Sequence, residues 1–302
     1  MPRLPLQLEL GPRDEGRPVE RRLARAMPDA SWSYLMKLLR RGQVQLEGRA
    51  LRKGDPLPGR GRLVVAAPEA GQVRPPAPNR RIRLRVLHED PHLAVVAKPA
   101  PLAMHPGPGH GTDTLLNALV GRWPQLAELG PEQGWGLVHR LDQETSGLVV
   151  VALTAAAREG LVAAFAARAV EKRYRALTQG RPGQPAGEVT TPVAGKEAHT
   201  RWEVEEEAGE VGLLRLFPRT GRTHQLRIHL AGLGCPVLGD PRHGPAGLRL
   251  GARLGLHRLA LHAEGLAFTH PLSGAPLRFE DPWPRELRRA WARARKFSAG
   301  AG

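Results

Sequence analysis

The sequence predicts an α+β protein of two domains, and three observations carry that prediction. At 302 residues the chain is long enough for about two domains. Its strand-like runs are short, differ from one another and follow no internal repeat. The helical segments interrupt these strands irregularly, which argues against regular βαβ winding.

Residues 1–70 read as a small module. Within it, 31–42 has helical spacing: Leu35, Leu38 and Leu39 share a face, and Lys37, Arg40 and Arg41 crowd the last turn. Ser31 or Ser33 would supply the N-cap and Gly42 the C-cap. Val44 and Leu46 then alternate with Gln43, Gln45 and Glu47 as a half-buried strand, and 63–66 closes the module as another. Residues 71–84, with Pro75, Pro76, Pro78 and four arginines, read as a basic linker.

Residues 85–302 form the larger domain. The apolar run 93–97 is a strand. The glycine-rich stretch 107–111 is not a phosphate loop, because no Gly-Lys-Ser/Thr follows it. A helix is expected over 112–119 with Leu115, Leu116 and Leu119 inward, and another over 155–169 with Leu161, Val162 and Phe165 on its apolar side. Strands are expected at 148–152, 172–177, 213–217, 225–229 and 266–268, and a short basic helix at 285–296.

Composition narrows the function. Lysine and arginine total 45 against 29 acids, a net charge of +16, which points to a polyanionic partner, most simply nucleic acid. One cysteine, Cys235, excludes an intrachain disulfide framework and a multi-thiolate zinc site, and fits a reducing cytoplasm. No signal-peptide h-region and no apolar run of spanning length stands in the sequence, so no membrane association is expected. No heptad or exposed apolar stripe stands out, so a monomer is expected.

One stretch concentrates polar chemistry between apolar runs: Gly136-Leu137-Val138-His139-Arg140-Leu141-Asp142-Gln143-Glu144-Thr145-Ser146-Gly147, followed by Leu148 to Ala152. A polar turn entering a buried strand holds its side chains rigidly, as a site requires. An aspartate in a turn is most often only a turn former. A second stretch, Arg219-Thr220-Gly221-Arg222-Thr223-His224-Gln225-Leu226-Arg227-Ile228-His229, shifts that balance. Arg222 is the expected partner of Asp142, holding the acid ionised and fixed as a nucleophile needs. His139, His224 and His229 lack metal-ligand spacing with acids or cysteine, so no metal is expected.

His139-Arg140-Leu141-Asp142 with Thr145-Ser146-Gly147-Leu148 resembles the central motif of the RluA-type pseudouridine synthases. Four more stretches match that family in order: Glu89-Asp90 through Lys98-Pro99 to His105-Pro106; Lys172-Arg173-Tyr174; Gly221 to His229 with Gly239-Asp240; and Leu261-His262-Ala263 with His270-Pro271. Two positions depart from it: Pro101, where glycine is common, and His243, where a tyrosine often follows Gly239-Asp240. Residues 16–66 resemble, more loosely, the RNA-binding module of ribosomal small-subunit protein four, with Trp32 and Glu47 departing from its pattern.

The resemblance implies a mixed, mainly antiparallel sheet with flanking helices. It also implies isomerisation of uridine in structured RNA, ribosomal RNA favoured over transfer RNA, without cofactor or metal. By that resemblance Asp142 is the catalytic carboxylate, attacking the ribose or removing a ribose proton. Tyr174 packs on the uracil, and Arg222 pairs with the acid. Leu226 lines the pocket, and Arg140 enters the space left by the flipped nucleotide. His139 and Lys98 complete the substrate side, with Lys37, Arg40 and Arg41 as RNA contacts of the first module. Two other classes compete: a catalytically silent RNA-binding or ribosome-assembly protein, and a base-releasing glycosidase using Glu144 beside Asp142.

Overall fold

The computed structural model describes residues 5–28, 30, 32–66, 75–107 and 109–300. The chain divides into two compact units, Met1–Arg74 and Pro75–Gly302.

The first unit contains β1 (Leu6–Leu10), α1 (Val19–Ala26), α2 (Trp32–Arg40), β2 (Val44–Leu46), β3 (Arg49–Ala50) and β4 (Gly61–Val65). Its antiparallel sheet has the order β1-β4-β2-β3. Leu35, Leu38 and Leu39 of α2 are buried with Val19, Leu23, Val44 and Leu63, so the expected apolar face is the packed one. Gly42 ends the helix at φ +67°, and the Gln43 amide donates to the Leu38 carbonyl at 3.0 Å, a left-handed C-cap that glycine adopts without strain. Ser31 and the Ser33 side chain lie outside the described residues. β1 and α1 were not expected, although Leu6, Leu8 and Leu10 alternate with Gln7 and Glu9.

The second unit contains β5 (Arg85–Glu89), β6 (Leu93–Lys98), α3 (Leu115–Arg122), β7 (Ser146–Ala152) and α4 (Ala155–Ala166). β8 (Glu171–Gln179), β9 (Ala186–Val189), β10 (Thr200–Ala208), β11 (Val211–Pro218) and α5 (Gln225–Gly232) follow. α6 (Gly247–Arg253), β12 (Leu261–Thr269), β13 (Pro276–Glu280) and α7 (Arg285–Ala299) complete it. The sheet runs β5-β6-β7-β12-β8-β11-β10-β9, with β13 on β12. It is antiparallel except where β7 meets β12 over His262↔Ser146 and Ala263↔Gly147. Beyond that point β12 pairs with β13 instead.

All seven residues of β7 are buried. Val149 and Val151 pack toward the α3 side with Leu115, Leu116 and Leu119; Leu148, Val150 and Ala152 pack toward the α4 side with Ala157 and Leu161. Each buried valine or leucine contributes about 1.5–3 kcal/mol, which makes β7 a rigid mount for the turn before it. The α3 N-terminus is fixed by Thr114, whose hydroxyl accepts from the Asn117 amide.

Two expectations are corrected. Residues 225–229 are the start of a helix, not a strand: Leu226 and Leu230, four apart, enter the core together, and that spacing outweighs the local alternation of Leu226 and Ile228. Val162 is 40% exposed, so of the three residues expected on the apolar side of α4 only Leu161 and, in part, Phe165 serve it, beside Ala157.

Candidate active site

The turn before β7, the middle of β8 and the start of α5 converge on one cleft of about 640 Å³. Its apolar lining comes from Leu137, Leu141, Leu226 and Leu261, with Tyr174 from β8 beside them. Asp142 stands at its edge in a turn closed by the Thr145 amide donating to the Asp142 carbonyl at 3.0 Å.

The Asp142 carboxylate is 18% exposed and accepts from Arg227 Nη1 at 3.2 Å. Arg227, in α5, is held from behind by Asp240: Nε and Nη2 each donate to one Asp240 oxygen at 2.7 Å. A guanidinium gripped by two bonds along its Nε–Nη2 edge is held in orientation, and its Nη1 is left to reach Asp142. Asp240 has no exposed surface and also accepts the Arg242 and His243 amides at 2.9 and 3.0 Å. Burial alone would raise its pKa, but Arg227 and these two amides outweigh it and bring it to about 2.

The Arg222 pairing expected from sequence is corrected here. Arg222 is exposed in the loop before α5, and its Nε donates to the Glu197 carbonyl at 2.9 Å. Helix formation from Gln225 turns Arg227 inward instead, and Arg222 remains in the cleft wall. Gln225 fixes this loop: its Oε1 accepts from the Arg222 amide at 3.0 Å and the Thr220 hydroxyl at 2.7 Å, while its amide donates to the His199 carbonyl at 3.1 Å.

Tyr174 packs against the cores on both sides of it, and burial, then the charge of Asp142, raises its pKa, so it stays a phenol. His139 lines the cleft, but its Nε2 accepts from the Val150 amide at 3.0 Å and its ring stacks on Phe165 at 4.8 Å. Burial and then Lys172 lower its pKa to about 3, so it is a neutral strut rather than a cation for RNA. Lys98 is corrected too: at 1% exposure its ammonium donates to the carbonyls of Pro99, Leu102 and Gln143 at 3.1, 2.9 and 3.0 Å. It braces the turn from beneath and does not face the cleft. Arg140 is exposed at the cleft, and Lys37, Arg40 and Arg41 are exposed in the first unit.

Among the described residues lining the cleft, six are cationic, Arg140, Arg168, Lys172, Arg219, Arg222 and Arg227, and one is a carboxylate, Asp142. Such a wall suits a phosphate backbone.

The family model for RNA pseudouridylate synthase matches residues 92–232, a span that contains Asp142, Tyr174 and Arg227. Ribosomal large subunit pseudouridine synthase D of Xanthomonas campestris is 38% identical over 95% of this chain and 91% of that protein. An uncharacterized RNA pseudouridine synthase of Aquifex aeolicus is 35% identical over 94% of this chain and 96% of that protein. The chain belongs to the RNA pseudouridine synthases of the RluA type. The solved structure of human RNA pseudouridylate synthase domain containing 4 agrees with the synthase in fold, at TM-score 0.55 and 27% identity over 70% of this chain and 92% of that one.

Sequence reasoning missed Arg227, Asp240 and the His224–His243 pair in this synthase. The signal for Arg227 was an arginine in an apolar setting, between Leu226 and Ile228, needing a buried acid. Among the described residues no group of histidine, cysteine and acid side chains could hold a metal ion, and no helix is long and apolar enough to cross a membrane.

Proposed function

We propose that the synthase isomerises a uridine in large-subunit ribosomal RNA, with the nucleotide flipped into the cleft and Asp142 as its catalytic carboxylate. The observation that carries this is the pairing of the cleft's one acid with a doubly anchored arginine. The synthases D of Xanthomonas campestris and Xylella fastidiosa, 38% and 37% identical, are named for large-subunit RNA and support that target.

In this reading the bond between uracil N1 and ribose C1′ breaks, the base turns, and C5 bonds to C1′. The proton on C5 leaves, and N1 ends protonated. Asp142 serves by attacking C1′ or by taking a proton from C2′; either needs an oriented carboxylate, and Arg227 orients it. Tyr174 packs against the freed base. Arg140, exposed at the cleft, fills the vacated stack, where a guanidinium can both stack and bind phosphate. Flipping costs a few kcal/mol, and the basic wall offsets it through phosphate contacts. Lys37, Arg40 and Arg41 add phosphate contacts from the first unit.

The test is a single-turnover assay on ribosomal and transfer RNA transcripts labelled in uridine. Asp142→Asn should abolish pseudouridine formation while RNA affinity stays near that of the unmodified protein. Full turnover by that variant refutes the assignment, release of free uracil would point to a glycosidase, and product only on transfer RNA would move the target.

A further inference from the structure

The second oxygen of Asp142 faces a pair of histidines whose arrangement the reaction scheme above leaves unused. His224 Nε2 lies 4.0 Å from Asp142 Oδ1, opposite the edge held by Arg227. His224 Nδ1 lies 3.0 Å from His243 Nε2, with the rings edge to face at 5.1 Å. Both are fixed by backbone. His224 sits at φ +58° just before α5, and the His243 amide donates to Asp240, the acid that also grips Arg227.

We infer that His243 is a positioning residue: by donating to His224 Nδ1 it fixes the tautomer in which His224 presents an N–H to Asp142. The inference rests on Asp142 being the catalytic carboxylate.

The argument is one of proton counting. Burial lowers the pKa of both rings; around His224 the charge of Asp142 opposes this and Arg227, His243 and Arg242 reinforce it. Around His243, Asp240 opposes it, Arg227 and Arg242 reinforce it, and Asp142 opposes it. Two neutral imidazoles carry one N–H each, and only one can donate across the contact between them. If His224 donated from Nδ1, its Nε2 would turn a lone pair toward the carboxylate, which is repulsive. If His243 donates from Nε2, His224 keeps its proton on Nε2 and directs it at Asp142. At 4.0 Å this N–H polarises Oδ1 without occupying its lone pair, so that oxygen stays available to the ribose. One buried acid, Asp240, thus sets both arms around Asp142: Arg227 through its guanidinium and His243 through its backbone.

The test combines imidazole ¹⁵N NMR of the full-length protein with kinetics on a ribosomal RNA transcript. His224 should carry its proton on Nε2 in the unmodified protein and populate the other tautomer in His243→Phe. That variant should lose about tenfold in kcat with KM unchanged, the scale on which removal of an orienting partner acts. His243→Tyr, whose hydroxyl supplies the same single donor, should restore both the tautomer and kcat. A His224 proton on Nδ1 in the unmodified protein overturns the inference even if His243→Phe does not fold. So does a folded His243→Phe with unchanged kcat, or a folded His243→Tyr that rescues neither property. Should Asp142→Asn keep its activity in the same assay, the assignment of Asp142 fails, whatever the histidines do.

Discussion

In front of the turn 141–145, six cations and one carboxylate among the described residues line an open cleft; behind it, a set of equally polar side chains is hydrogen-bonded to itself. The rear set holds Lys98 on three carbonyls. It also holds Arg258, which donates to the Glu144 carbonyl at 3.3 Å, the Ser146 hydroxyl at 3.2 Å and Glu286 at 2.6 Å. Ser146, His262 and Asp281 also meet there, the residue types of a hydrolase triad. Yet Ser146 Oγ accepts from Arg258 and donates to His262 Nδ1 at 2.9 Å, while His262 Nε2 donates to the Asp281 carbonyl at 3.1 Å. Burial first, then Arg258, lowers the His262 pKa to about 3, and the serine is 4% exposed. Every proton in this chain is committed to structure. What distinguishes the front is unspent hydrogen-bonding capacity around an acid, not the kinds of residue present.

That contrast can be broken at its strongest point by removing Arg227. Arg227→Met strands Asp240, a carboxylate with no exposed surface, and should cost about 3–5 kcal/mol in urea unfolding as well as activity. Arg222→Ala, in the same cleft, should stay within about 0.5 kcal/mol of the unmodified protein. Equal losses would mean that the Arg222 bond to the Glu197 carbonyl carries stability of the same size.

Asp240 should also mark the acid limit of stability. Its folded pKa, about 2, lies below its unfolded value, so its contribution is present above the ordinary carboxylate range and is lost as pH falls through about 2. Acid titration of Asp240→Asn should lack that segment of the curve.

Lys98 gives a slope of the same sign at higher pH, although there it is the buried charged form that is disfavoured. Burial, then Arg258, brings its pKa to about 7, below the unfolded value, so the unfolded chain binds the extra proton at alkaline pH. Stability should therefore rise from about pH 7 towards pH 10, and Lys98→Met should flatten that rise; a slope unchanged by the substitution would assign it to other groups. The smallest effect belongs to the front. Arg222→Gln should weaken RNA binding and reduce the slope of log affinity against log salt by about one.

The sequence displayed much of this arrangement, unevenly. Buried strands such as β6 and β7 were legible because continuous apolar, β-branched runs have few alternatives, and α7 because its apolar residues keep helical spacing. α5 was misread because eight residues with alternating Leu226 and Ile228 fit both periods, and only the core it enters decides between them. Asp142 and Tyr174 could be singled out from motif context. The partner of Asp142 could not, since Arg222 and Arg227 differ only in which one a helix turns inward. The family resemblance places Lys98 on the substrate side, and nothing in the sequence shows the three carbonyls that absorb its charge.

The seam between β7 and β12 has a consequence for the chemistry. Asp142 arrives on the β5-β6-β7 side of the sheet, and Tyr174 and Arg227 on the other, yet the two sides are stitched by only two register pairs. At one of them Gly147, at φ +120°, lies so close to the Ala263 backbone that a single methyl would have no room. Such a methyl would act as a wedge, prising the acid away from its guanidinium while leaving both side chains intact.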